Sequence, residues 1–144
     1  MVFIGSDHGG FELKERIKEF LEEKGIEFED MGCFSAESVD YPDIAKSVAL
    51  KVASSNSKGI LICGTGIGMS IAANKIEGVR CALCHDAYTA EFARRHNNAN
   101  IIAFGGRTTG IEIAKQMVEI FLNTPFDGGR HERRVKKIKE LEDL

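Results

Sequence analysis

Apolar and polar positions alternate along this chain in two periods that take turns. Residues 2–6 form a short apolar run that reads as a strand, and residues 11–24 follow with Leu13, Ile17, Phe20 and Leu21 on one helical stripe. Gly25 closes that helix. Residues 27–31 form a weaker, partly polar strand suited to a sheet edge, and residues 32–41 a loop. Pro42 opens a helix with the stripe Ile44, Ala45, Val48, Ala49 and Val52, which Ser54-Ser55-Asn56-Ser57 breaks. Residues 59–63 read as a buried strand, 67–75 as a helix and 79–84 as a strand. Asp86 caps a helix that runs through Arg95. The fifth strand spans 100–104. A helix over 110–122 turns Ala114, Met117, Val118 and Phe121 inward. After the turn Pro125-Phe126-Asp127-Gly128-Gly129, a final helix over 130–144 carries Val135, Ile138 and Leu141 as its stripe.

Strands alternating with helices predict an α/β fold: a three-layer, doubly wound, five-stranded parallel sheet in the order 2-1-3-4-5. No repeat or interdomain linker interrupts the pattern, so residues 1–144 are expected to form a single domain. The helix over 130–144 has no strand to return to, which leaves it to pack on a partner subunit. In such a sheet the ligand crevice opens beyond the carboxyl ends of strands one and three, where the order reverses. Strand one ends in Asp7-His8-Gly9-Gly10 and strand three in Cys63-Gly64-Thr65-Gly66, so two unusual loops face each other there.

Composition narrows the functional classes. The chain has 144 residues and a net charge of −3, which gives no reason to bind nucleic acid or a membrane surface. No apolar run approaches the ~18–20 residues of a membrane span, and Met1-Val2-Phe3-Ile4-Gly5 lacks the layout of a signal peptide. The expected location is the cytoplasm. Of the four cysteines, Cys81 and Cys84 match C-x-x-C. Residues three apart on a strand face opposite sides, however, and no second Cys or His pair completes a metal site, so small buried core residues are the better reading.

The glycines at 64, 66 and 68 let the backbone approach a ligand and present N–H groups beside the Cys63 thiol. This suggests chemistry on a negatively charged small molecule. Asp7 has an alternative role as a helix N-cap, and His8 one as a surface histidine; together, opposite Cys63, they become candidates for proton transfer and anion contact. Arg130 and Arg134 leave one face of a helix N-terminus, where a phosphate would relieve their opposition to the helix dipole; a solvated basic face is the alternative. His96 follows a helix, at the sheet edge opposite the crevice. If it joins Asp7 and Cys63, it comes from another subunit. A dinucleotide site is disfavoured, although Asp86 stands where a ribose-binding acid would be, because G-x-G-x-x-G needs glycine where Met69 stands, and no P-loop lysine is present.

Several segments together are similar to the type B ribose-5-phosphate isomerases, within the family that also holds galactose-6-phosphate isomerase subunits. They are Ser6-Asp7-His8-Gly9-Gly10, Asp40-Tyr41-Pro42-Asp43, the stretch from Cys63 to Lys75, Arg95-His96-Asn97, Phe104-Gly105-Gly106-Arg107 and Gly128-Gly129-Arg130-His131. The resemblance implies a metal-independent aldose–ketose isomerase without a cofactor, interconverting ribose 5-phosphate and ribulose 5-phosphate in the pentose phosphate pathway. By the same resemblance Cys63 is the base, in the branch of the family that uses cysteine; another branch has glutamate where this chain has Met69. His96 and Asp7 would assist ring opening. Thr65, Asn97 and the loop of Gly64, Gly66, Gly68 and Ser70 would hold the sugar oxygens. His8, Arg130 and Arg134 would hold the phosphate, Arg107 would contribute to the site and Tyr41 would line it. The implied assembly is a homodimer with shared sites, or a dimer of dimers. Asn98 departs from the family's usual aspartate. The competing readings are a hexose 6-phosphate isomerase, on allose or galactose 6-phosphate, and a non-catalytic sugar-phosphate sensor.

Overall fold

The computed structural model describes residues 1–144. Five parallel strands, β1 (Val2–Ser6), β2 (Phe28–Asp30), β3 (Lys58–Cys63), β4 (Cys81–Leu83) and β5 (Ile101–Gly105), form one sheet in the order β2-β1-β3-β5-β4. The doubly wound α/β architecture is the one the pattern predicts. The correction lies at the far edge, where β5 and β4 exchange places relative to the expected 2-1-3-4-5. Burial explains the exchange: every residue of β5 is buried, as an inner strand requires, whereas β4 is three residues long with only Cys81 buried.

Helices cover both faces. On one side α1 (Phe11–Glu23), α4 (Ala87–Arg95) and α5 (Ile111–Asn123) enclose Ile4, Ile60, Ile62, Ile102 and Phe104; on the other α2 (Tyr41–Ser55) and α3 (Ile67–Ala73) enclose Phe3, Leu61, Ile101 and Ala103. Cys81 lies in the second core and Cys84 in the first, the opposite-face arrangement that excludes a C-x-x-C site. Asp86 caps α4 as expected, its Oδ1 accepting the Thr89 N–H at 2.8 Å. The expected 79–84 strand shortens at its start, where the Asn100 side chain takes over part of the pairing. Asn100 accepts from the Arg80 N–H at 2.8 Å and donates to the Gly78 carbonyl at 2.9 Å.

The last helix, α6 (Arg130–Glu140), ends in a 3-10 turn (Leu141–Asp143) rather than running to 144. It buries none of its residues. It crosses the amino-end edge of the sheet, tied at one end by the Asp127 N–H to the Arg95 carbonyl at 3.0 Å and at the other by the Gly78 N–H to Glu142 at 2.9 Å.

Candidate active site

The loops that follow β1, β3 and β5 meet at the carboxyl ends of the strands. A Cβ added at Gly9 would lie 3.2 Å from the Gly64 nitrogen, and one at Gly106 would lie 2.5 Å from the Gly9 carbonyl oxygen. The Cys63 carbonyl accepts the Gly106 N–H at 2.7 Å and the Gly64 carbonyl accepts the Arg107 N–H at 3.0 Å. These contacts place the Cys63 thiol, buried to 5% exposure, beside the crevice. The Gly66 N–H donates to its sulfur at 3.1 Å. Gly66 sits at φ +82, a left-handed conformation that turns the chain back under the thiol.

Around that thiol the expected residues divide by role. Asp7 is 7% exposed, and its Oδ1 accepts the N–H groups of Gly9 at 2.9 Å and Gly10 at 3.1 Å. It therefore builds the loop before α1 rather than capping the helix, whose N-cap is Gly10 without a side-chain cap, while Oδ2 makes no intramolecular hydrogen bond. His8 Nδ1 accepts the Val39 N–H at 3.2 Å, which leaves Nε2 as the nitrogen that carries the proton and can donate outward. The Arg107 guanidinium lies over Gly64, 3.3 Å from a Cβ built there. The Tyr41 ring covers Gly68, leaving no room for a side chain: a Cβ would sit 2.5 Å from it. Thr65 is exposed, and its hydroxyl accepts the Ile67 N–H at 3.3 Å. The N–H groups of Thr65, Gly68 and Met69 donate to no acceptor in the chain.

Ser70 lies in the first turns of α3, half-buried, with its hydroxyl near the Cys81 thiol and its N–H donating to the Gly66 carbonyl at 3.1 Å. Burial pushes the Cys81 thiol up to about 12 and the Cys84 thiol up to about 11, so both stay protonated and inert near neutral pH.

His96, Asn97, Arg130 and Arg134 stand at the other edge of the sheet. His96 ends α4, its N–H donating to the Phe92 carbonyl at 2.9 Å. The chain then runs through Asn97 into the amino end of β5, where Ile101 pairs with Gly59; Cys63 pairs with Gly105 four residues further on, about 13 Å along the strands. The His96 ring stacks on His131 of α6, centroids 4.0 Å apart and 13° from parallel, and meets Phe92 edge-on at 4.7 Å. Arg130 and Arg134 are exposed beside this pair. Within one chain, the thiol half and the histidine–arginine half do not meet.

His96, Asp127 and His131 bring ligand atoms within 4.8 Å of one another. The surroundings nevertheless suit an anion rather than a metal. Arg95 holds Asp127 at 3.2 Å, and Arg130 and Arg134 add positive charge, which opposes a cation and favours an anion. Burial, then the charges of His96, Arg130 and Arg134, hold the His131 imidazole below its usual range, against the pull of Asp127.

The ribose/galactose isomerase family matches residues 2–138. The chain belongs to this family. A ribose-5-phosphate isomerase B from Escherichia coli is 47% identical over 142 residues, covering 98% of this chain and 95% of the relative. The solved ribose-5-phosphate isomerase B of Clostridium thermocellum superposes with a TM-score of 0.96 at 50% identity, covering 99% and 97% of the two chains. Another relative, a D-erythrulose-4-phosphate isomerase from Pectobacterium atrosepticum, is 42% identical over 139 residues and covers 95% of this chain and 91% of its own. The chain is accordingly a sugar-phosphate isomerase.

Four residues without an assigned role in the sequence reading hold this framework. Lys14, wholly buried, donates to both Asp30 oxygens at 2.7 Å and to the Cys33 carbonyl at 2.6 Å, fastening the start of the loop that reaches His8 and Tyr41. Arg94, 7% exposed, donates to the carbonyls of Ala99 at 2.6 Å and Thr124 at 3.0 Å and so fixes both sides of His96. Asn74 pairs with both backbone groups of Cys81, at 2.8 and 2.9 Å, in place of a neighbouring strand. His131 is the fourth. None of the four has a signal in local periodicity, since each is defined by a distant partner.

Proposed function

We propose that this protein interconverts ribose 5-phosphate and ribulose 5-phosphate through a cis-enediolate, with Cys63 as the base. Cys63 Sγ takes the proton from C2 of the open-chain aldose and returns it to C1, while the O2 hydroxyl proton passes to O1, so that C2 becomes the ketone and C1 the hydroxymethyl. The charge that develops on the sugar oxygens is met by the N–H groups of Thr65, Gly68 and Met69, whose donors are unengaged. Thr65 and Asn97 contact the hydroxyls, and Tyr41 walls the pocket. His8 donates from Nε2, and with Arg107, Arg130 and Arg134 it holds the phosphate. His96, with Asp7, moves the protons that open the furanose ring. The crevice residues come from one chain, and His96, Asn97, Arg130 and Arg134 from a second in a homodimer, because these groups stand at opposite sheet edges. The assembly is cytoplasmic and belongs to the pentose phosphate pathway. The observation that carries this reading is the buried Cys63 thiol facing a loop of unengaged N–H donors.

The test is isomerase kinetics on pentose and hexose phosphates, with a chelator present. The expected result is chelator-insensitive turnover of ribose 5-phosphate that Cys63→Ser lowers by about a thousandfold or more. Chelator inhibition, or wild-type turnover by Cys63→Ser, contradicts it. A second reading, a tetrose or hexose phosphate substrate, draws support from the D-erythrulose-4-phosphate isomerase relative. One carbon unit changes binding by only about 1–3 kcal/mol, and the same panel with a tetrose phosphate added separates the two readings.

A further inference from the structure

We propose that His131 is a positioning residue, which holds the His96 ring and ties it to the phosphate carried by Arg130 and Arg134. Binding of the phosphoryl end thereby sets the group that opens the sugar ring. This rests on the isomerase reading above. The observation behind it is how α6 is attached. No residue of α6 is buried, and its first turn follows two residues in left-handed conformations, Gly128 at φ +70 and Gly129 at φ +56. Three contacts join that turn and its approach to the end of α4: the Arg95–Asp127 side-chain pair, the Asp127 N–H donating to the Arg95 carbonyl at 3.0 Å, and His131 stacked on His96 at 4.0 Å. His131 is also the neighbour of Arg130 in sequence, so whatever orders the arginine orders the ring that lies on His96.

Charge gives the coupling its direction. His131 is faced by His96 and Arg95 from α4, by Asp127 from the connection, and by Arg130 and Arg134 from its own helix. Positive charge outweighs the single carboxylate, which disfavours a protonated imidazole there. A bound phosphate reverses that balance and draws Arg130, His131 and Arg134 together. Energy from the phosphate, remote from the reacting carbons, is thus used to orient His96.

The test compares His131→Ala with His131→Phe, which keeps a ring to stack. Ribulose 5-phosphate has no furanose ring to open, and the aldose formed from it can leave open-chain and close in solution, so its turnover reports the proton transfer without requiring the step assigned to His96. In His131→Ala, kcat from ribose 5-phosphate should fall by about a hundredfold, while kcat from ribulose 5-phosphate stays within about threefold. His131→Phe should restore part of the loss. Equal losses in both directions, or no loss in either, overturn the proposal. A second measurement needs no turnover. Inorganic phosphate should raise the pH at which the His131 imidazole titrates by NMR, and an unmoved titration also overturns it. Wild-type protein inactive on both sugars would instead refute the isomerase reading, and the titration would still judge His131.

Discussion

Lys14 and Asp30 show how single charges shape this site from a distance. Burial works against the Asp30 carboxylate, yet the hydrogen bonds from Lys14 and Lys18 outweigh it and hold Asp30 below the usual carboxylate range. Since the native value is the lower one, this pair stabilises the fold fully above the unfolded value of about 4 and loses its contribution as pH falls below it. Asp30→Asn strands the wholly buried Lys14 charge, and the expected cost is about 3–5 kcal/mol in urea unfolding at pH 7. The same substitution should flatten the acid limb of the stability curve. A loss below about 1 kcal/mol would mean that Lys14 finds water or another partner. The periodicity of α1 reveals Leu13, Ile17, Phe20 and Leu21 but not Lys14, whose burial depends on a partner sixteen positions away. Asp7 was legible as a residue of its loop, and the structure shows it bracing that loop rather than capping α1.

At the scale of elements, the strand–helix alternation was readable because each inner strand is an uninterrupted apolar run. The order of β4 and β5 was not, since both runs are apolar and only their length and burial in the folded sheet separate inner from edge. The glycine loop between β3 and α3 was legible as a ligand-facing turn. The nearness of Ser70 to Cys81 was not, because it depends on the phase of α3, a helix of seven residues. Gly66 joins these two elements, and its conformation admits no substitute. A Cβ there would lie 2.8 Å from the Phe104 backbone and 2.7 Å from Leu83, at φ +82. Gly66→Ala should therefore cost about 2–4 kcal/mol in thermal or urea unfolding and lower turnover further by moving the N–H donors off the enediolate. A variant of wild-type stability and activity would show that the loop has slack the packing does not suggest.

For the whole molecule, the sheet sets the decisive separation. Strand polarity puts Asp7, His8, Cys63 and Arg107 at the carboxyl edge, while antiparallel helices return His96, Arg130 and Arg134 to the amino edge. That much follows from the order of elements in the sequence, which is why the placement of His96 was legible before its stacking on His131 was. Ile138 of α6 and Leu141 of the turn after it stand 44% and 62% exposed. The most direct measurement is complementation between two inactive chains, Cys63→Ser and His96→Asn, mixed, unfolded and refolded together. If working sites join the thiol half of one chain to the histidine half of another, random dimers should recover about a quarter of wild-type ribose 5-phosphate isomerase activity, since half of them carry one intact site. A mixture no more active than its two components, with mixed dimers demonstrably formed, would contradict a site shared between chains.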